Sequence, residues 1–411
     1  MFLPNRLRLF LLSTTALLVT TQYSDAGYFR RYPGEEETQQ AAPAPASDAM
    51  SDEEFLEEEA EEPAGLLGDR FHGSGGLIVE YIYTGEVFTN MRGGTNTRKA
   101  TEYQGIFDLV MTADLCEMGF APGGTFFLYG QNHHGRNLTD HHVGDAQALS
   151  NIAARDYMQI SEYWWERGVI DEFLTVRLGK QDSNAEFGVT DLSGDFINSS
   201  FGFAPTIPMA TFPDPSMAVV TFFELTDWLA FNVGIFDGAG YGGNWGFSNT
   251  GDILSLYELK ATYDLCDLPG DFMVGMWHHN GACDDPNEVD SYINSHGVYL
   301  GMDQLLWKEH CCDPDDDQGL GTFLQYGWAP EERSDIHQYF GAGLVYKGFI
   351  RCRDDDIMGL GIARAEFSSA PAIRKVAMSR VPGLAAPLSD STPIAISLRM
   401  RRCRLPPRRR P

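Results

Sequence analysis

Residues 105–115, "GIFDLVMTADL", carry two readings in one pattern. Phe107, Leu109, Met111, Ala113 and Leu115 are apolar, and Asp108, Thr112 and Asp114 between them are polar. Successive side chains of a strand point to opposite faces, so the stretch has one greasy face and one acidic face. In a soluble sandwich the greasy face is the packed core. In a membrane barrel it meets lipid, and the acidic face lines a water-filled lumen.

The same texture continues from about Leu77. Alternating segments broken by Gly, Pro, Asn and Asp predict strands near 77–88, 102–115, 124–134, 157–166, 172–181, 217–226, 228–237, 254–265, 271–279, 295–306, 319–329, 336–347 and 356–367. Most are as long as the ~9–11 residues a tilted membrane strand requires, and longer than the ~5–6 of ordinary globular strands. "LTDWLAF" (225–231) and "DLPGDF" (267–272) predict tight hairpins. "DAQALSNIAA" (145–154) allows a short helix within a loop.

The N-terminus reads as an export signal. Arg6 and Arg8 precede the apolar run "LFLLSTTALLV" (9–19), and Ser24-Asp25-Ala26 offers a small-x-small cleavage site, so 1–26 is expected to be removed. That run is about half of what a membrane-spanning helix needs. Residues 27–69 form an acidic spacer: 35–62 holds twelve acidic residues and no basic one, too little apolar surface to fold alone. The strand region, 70–368, is the expected barrel. Residues 369–411 are a divergent basic tail with ten Lys or Arg against Asp390, ending "RMRRCRLPPRRRP"; a shifted reading frame accounts for its texture.

Net charge is −28, from 58 acidic and 30 basic residues, which argues against nucleic acid as a partner. The seven cysteines (116, 266, 283, 311, 312, 352 and 403) include no CxxC or Cys/His spacing that suggests zinc. The histidines of "HHGRNLTDHH" (133–142) lack an H-E-x-x-H spacing. "DPDDDQG" (313–319) places its glycine one position late for an EF-hand. "GAGYGG" (238–243) has no strand-then-helix context, and Ser199 and Ser200 lack a nucleophile elbow. No catalytic constellation emerges, and neither a metal nor a cofactor is expected.

Eight blocks in order resemble the carbohydrate-selective porins of bacterial outer membranes, the glucose-inducible, OprB-like family. They are "YTGEVFTNMRGG" (83–94), "NHHGRN" (132–137), "VGDAQALSNI" (143–152), "VRLGKQDSNAEF" (176–187), "FINSSFG" (196–202), "FNVGIFDG" (231–238), "LQYGWAPEER" (324–333) and "GLVYKGFIRCRDDDIMGLGIA" (343–363). The resemblance implies an all-β fold, an antiparallel transmembrane β-barrel of sixteen strands. It implies passage of monosaccharides and small oligosaccharides by passive diffusion. Thirteen strands are visible, and the closing strands are not. The expected location is the outer membrane, in contact with its lipid. A homotrimer is the common assembly of such barrels.

With the greasy faces turned to lipid, Glu80, Asp108 and Asp114 face the channel. In "SEYWWER" (161–167), Glu162, Trp164 and Glu166 share the lumenal face; an indole between carboxylates offers a sugar both a stacking surface and hydrogen-bond partners. Arg177 alternates with Val176 and Leu178 and points inward too. Arg136 and Arg155 lie in or beside blocks that match the family, where charged residues narrow the channel. Two other readings stay open: a structural or adhesive barrel with a plugged lumen, and a secreted all-β hydrolase with its greasy faces packed inward.

Overall fold

The computed structural model describes residues 68–73, 75–170, 173–239, 245–284, 291–310, 318–350, 354–368 and 394–399. The export signal, nearly all of the acidic spacer, most of 238–243 and of 313–319, Cys311, Cys312, Cys352, Cys403 and most of the basic tail lie outside them.

All of the strands join one antiparallel sheet in which each pairs with the next in sequence. They are β1 (Gly68–Gly73), β2 (Leu77–Thr89), β3 (Thr101–Asp114), β4 (Thr125–Gly135) and β5 (Tyr157–Ile170). Next come β6 (Leu174–Gln181), β7 (Ser216–Thr226), β8 (Leu229–Asp237), β9 (Ile253–Leu265) and β10 (Leu268–Asp284). The last are β11 (Ser291–Lys308), β12 (Gly319–Trp328), β13 (Ile336–Lys347), β14 (Ile357–Phe367) and β15 (Ile394–Arg399). Each segment predicted between 77 and 367 is a strand. The structure adds β1 and, within the tail where none was expected, β15, whose Ile396 pairs with Leu360. The described sheet thus has fifteen strands.

Turn chemistry sets the register. The β9–β10 hairpin turns on Cys266 and Asp267, both at positive φ (56° and 64°), as a two-residue turn matched to strand twist requires. It therefore closes slightly earlier than "DLPGDF" suggested, and Leu268 already pairs with Leu265. The β7–β8 turn falls at Asp227 and Trp228, as expected.

Alternation decides the faces. Along β10, Met273, Gly275 and Trp277 are buried, while Phe272, Val274 and Met276 between them are exposed. Along β3, Gln104, Ile106 and Val110 are buried and Phe107 is exposed. The buried faces enclose a long connection, residues 182–215, between β6 and β7. Its Phe187, Phe196, Phe201, Ala204 and Ile207 pack into one cluster with Val220 (β7), Leu256 (β9), Trp277 (β10), Phe323 (β12), Tyr339 (β13) and Ala363 (β14). One segment can touch so many strands only if the sheet curls around it.

Candidate functional site

The inner face of β2–β6 is polar. Glu86 (β2) is buried and accepts hydrogen bonds from Gln104 Nε2 at 2.9 Å and from Ser150 Oγ at 2.5 Å. Glu80, three pleat repeats away on β2, is buried on the same face. Asp108 accepts from Tyr129 Oη at 2.8 Å and from Gln131 Nε2 at 3.2 Å. Cross-strand register puts Tyr129 opposite Glu162, Phe127 opposite Trp164, and Glu166 opposite Arg177. Sequence alternation therefore assembles Glu162, Trp164, Glu166 and Arg177 into one cluster.

Arg177 is its hub. Its guanidinium lies 2.7 Å from both Glu166 and Glu186, so it ties the wall to the inner connection. It also lies 4.2 Å from the centroid of the Trp164 ring and 5.1 Å from that of Phe222. A delocalised guanidinium suits this combination of forked carboxylate pairing and aromatic stacking. Phe127, from the neighbouring strand on the other side, stacks on Trp164 at 4.6 Å. Flanked from both sides, the indole offers an edge rather than the open face that the sequence suggested. Glu162 is buried and accepts from the backbone N–H of Asp182 at 3.0 Å, so it fastens the root of the connection.

The inner face of β7–β14 is largely apolar with a few buried polar groups, and the 182–215 connection covers it. Wall carboxylates and amides grip the connection by its backbone. Glu258 (β9) accepts from Gly188 N–H at 2.8 Å, and Asp303 (β11) from the Asp191 and Leu192 N–H groups at 2.7 and 3.2 Å. Gln325 (β12) donates to Thr190 Oγ1 and to the Phe201 carbonyl, and Tyr339 (β13) donates to the Ser200 carbonyl. Glycines make the room. A methyl at Gly361 would stand 2.8 Å from Phe201 Cζ, and one at Gly359 would stand 2.7 Å from Phe196 Cζ.

The connection also meets the β4–β5 loop, where the predicted helix at 145–154 is absent. Backbone groups that a helix would use internally go elsewhere: Ser199 N–H donates to the Ala148 carbonyl, and Asn151 N–H to that of Ile197. A five-residue π-turn at Thr139–Val143 stands just before it.

The remaining candidates sit apart from the cluster. Asp114 ends β3 and accepts from the Cys116 and Glu117 N–H groups, capping a turn at the strand's end rather than reaching mid-wall. Arg155 holds Asp214 through both guanidinium nitrogens, at 2.7 and 3.1 Å, near the start of β7. Arg136 lies 3.7 Å from Glu102 with its side chain 60% exposed. The histidines of 133–142 part ways: His133 is buried against Tyr157, His134 meets Tyr83, and His142 meets Glu102. Among the described residues, no three His, Cys, Asp or Glu side chains gather as a metal site. Among the described residues, Cys116 and Cys266 are exposed free thiols, and the Cys283 thiol donates to the Gly281 carbonyl.

What the sequence reading missed is the inner connection and its docking groups. A signal existed in the 35-residue gap between predicted strands (182–216), which is the 34-residue connection Asp182–Pro215 in the structure and carries Phe187, Phe196 and Phe201. Glycine pairs at period two in β13 and β14 (Gly341 and Gly343, Gly359 and Gly361) are its counterpart.

Three comparisons agree. Residues 98–395 match the family described as "Carbohydrate-selective porin, OprB family". Porin B of Pseudomonas aeruginosa is 23% identical over 343 residues, 75% of this chain and 74% of that protein. The solved high-pH structure of Pseudomonas putida OprB superposes with a TM-score of 0.64 at 22% identity, covering 76% of this chain and 78% of that one.

Proposed function

Because the chain belongs to the carbohydrate-selective porin, OprB family, we propose a specific route for its cargo: neutral sugars pass along the polar inner face of β2–β6, between that wall and the inward-folded connection. The family's members are porins, transporters rather than enzymes, and the protein is an outer-membrane sugar porin. Passage is diffusive, with no cofactor and no chemistry.

The observation that carries the reading is the Arg177 bridge between Glu166 on the wall and Glu186 on the connection. It marks where the polar wall and the connection meet, with Trp164 and Phe222 beside it. Glu80, Asp108, Glu162, Glu166 and Arg177 supply hydrogen-bond partners for hydroxyls, and the Trp164 edge supplies apolar contact. Arg136 and Arg155 act at the rim. The −28 charge disfavours anionic solutes. Cleavage at 1–26, assembly into a homotrimer and the absence of nucleic-acid binding complete the proposal.

A plugged barrel is the competing reading, since the connection fills the apolar half of the interior. Liposome swelling separates the two. Refolded protein should admit glucose faster than protein-free vesicles do. Equal rates, with no ion conductance in planar bilayers, would select the plug.

A further inference from the structure

The outward face of the barrel bears a polar cluster near one end of β2–β4. Tyr83, Tyr103 and His134 share that face with Phe107, which is exposed there. The Tyr83 and Tyr103 phenols hydrogen-bond to each other, and Tyr83 Oη lies 2.9 Å from His134 Nε2. The Tyr83 and His134 rings stack at 5.8 Å. Two glycines allow this: a methyl at Gly105 would stand 2.4 Å from Tyr83 Oη, and one at Gly85 would stand 3.1 Å from Tyr103 Oη. Hydrocarbon offers such groups no partners, whereas the headgroup boundary does.

This end carries the long connections, 90–100, 136–156 and 182–215, while the other end has the two-residue turns at 227–228 and 266–267. In outer-membrane barrels the longer loops face outward from the cell. Directly beyond the tyrosines, "NMRGGTNTRKA" (90–100) holds Arg92, Arg98 and Lys99 and no acid, in a chain of net charge −28. All three are exposed. Arg136 leaves β4 two residues past His134, and its backbone N–H donates to the Tyr103 carbonyl. The two cation-bearing loops are fixed to each other: the Thr95 and Asn96 N–H groups and the Asn90 side-chain amide all donate to the His142 carbonyl.

We propose that Arg92, Arg98, Lys99 and Arg136, standing beyond the Tyr83–Tyr103–His134 cluster, bind the phosphate-bearing headgroup of an outer-leaflet glycolipid. Several cations on a braced platform suit a headgroup with more than one phosphate, and guanidinium forks suit phosphate oxygens. A soluble anion is the weaker candidate, because the rings beneath the cations face lipid rather than the lumen. The acyl chains then lie against the outward faces of Val79, Leu109 and Leu128. This assignment shares only Arg136 with the proposed sugar route, and its lipid-binding readouts do not depend on conduction.

The test uses the full chain, refolded in detergent and titrated with a bisphosphorylated glycolipid, its dephosphorylated form and inorganic phosphate. Binding is read from the shift in the unfolding temperature and from lipid retained through gel filtration. The phosphorylated lipid should bind at least roughly tenfold more tightly than the dephosphorylated one, and the R92Q/R98Q/K99Q/R136Q variant should lose that preference. An R167Q control, exposed on β5 beside the β5–β6 turn at the opposite end of the barrel, should keep it. If the quadruple variant fails to refold, the single substitutions should each weaken binding while the wild-type lipid comparison stands. Equal binding of both lipids, a folded quadruple variant with undiminished affinity, or competition by millimolar inorganic phosphate would each overturn the proposal.

Discussion

Strands β2–β6 and β7–β14 share an apolar outer face but differ inside. The first group's inward set is richer in charge, with Glu80, Glu86, Asp108, Glu162 and Arg177 among Ile106, Val110 and Phe127; the second's is richer in apolar groups, with Val220, Leu256, Met273, Trp277 and Phe323. A barrel wall that is largely apolar on both faces has to be covered on its inner side, since such surface is costly against water, and its few inner polar groups bind the cover. The 182–215 connection is that cover. Period-two alternation therefore tells which residues face in, but only the composition of the inward set tells whether they meet water or protein.

The largest test of this contrast is to evict the cover. Gly361→Leu places a side chain where the Phe201 ring sits. Undocking the Phe196–Phe201 pair forfeits about 3–5 kcal/mol per ring, judged from Phe truncations in cores. Single-channel conductance should rise severalfold, and liposomes should admit larger oligosaccharides. Unchanged conductance in a folded variant would mean that the connection does not narrow the pore.

Breaking the seam between the halves comes next. Arg177→Met leaves Glu166 and Glu186 facing each other across the wall without their cation. Removing one partner of a buried ion pair costs about 3–5 kcal/mol. The reversal potential in a salt gradient should move toward cation selectivity, and glucose flux should change. A variant with wild-type selectivity would place the conduction path elsewhere.

Asp303→Asn is milder. It weakens two charge-assisted bonds to the Asp191 and Leu192 backbone, worth about 1.5–3 kcal/mol each before compensation. Current noise should increase without a large change in mean conductance.

How much of this was legible in sequence follows from range. Strands announce themselves locally, so β2–β14 and the inward set Glu162, Trp164, Glu166 and Arg177 could be read from alternation alone. The docking of the connection depends on contacts such as Asp191–Asp303 and Ser200–Tyr339, more than a hundred residues apart. No periodicity records those. Alternation puts Trp164 on one face with Glu162 and Glu166, yet its neighbours Phe127 and Arg177 come from other strands and decide that its ring is flanked. β15 escaped notice because "IAISLR" (394–399) alternates for only six residues inside a basic, proline-rich tail.

The smallest effect concerns the loop above the polar half. Burial pushes the Asp145 carboxyl up to about 6, against bonds from its own backbone and Thr139, with nearby Asp140 adding to the rise. A carboxyl raised in the folded state stabilises below its unfolded pKa and loses that contribution as pH rises through about 6. At pH 7.5 the ionised group is a cost, so Asp145→Asn should raise the unfolding temperature there. The advantage should shrink below pH 6 and vanish near pH 4. A gain that does not depend on pH would assign the effect to something other than ionisation.

The central claim is that Asp108 faces the conducted solution and Leu109 faces lipid. Single cysteines at these positions, on a cysteine-free background in a planar bilayer, test it directly with a charged, water-soluble thiol reagent. The account predicts a stepwise fall in conductance on modifying D108C and no response from L109C. A response from L109C with silence at D108C would contradict it.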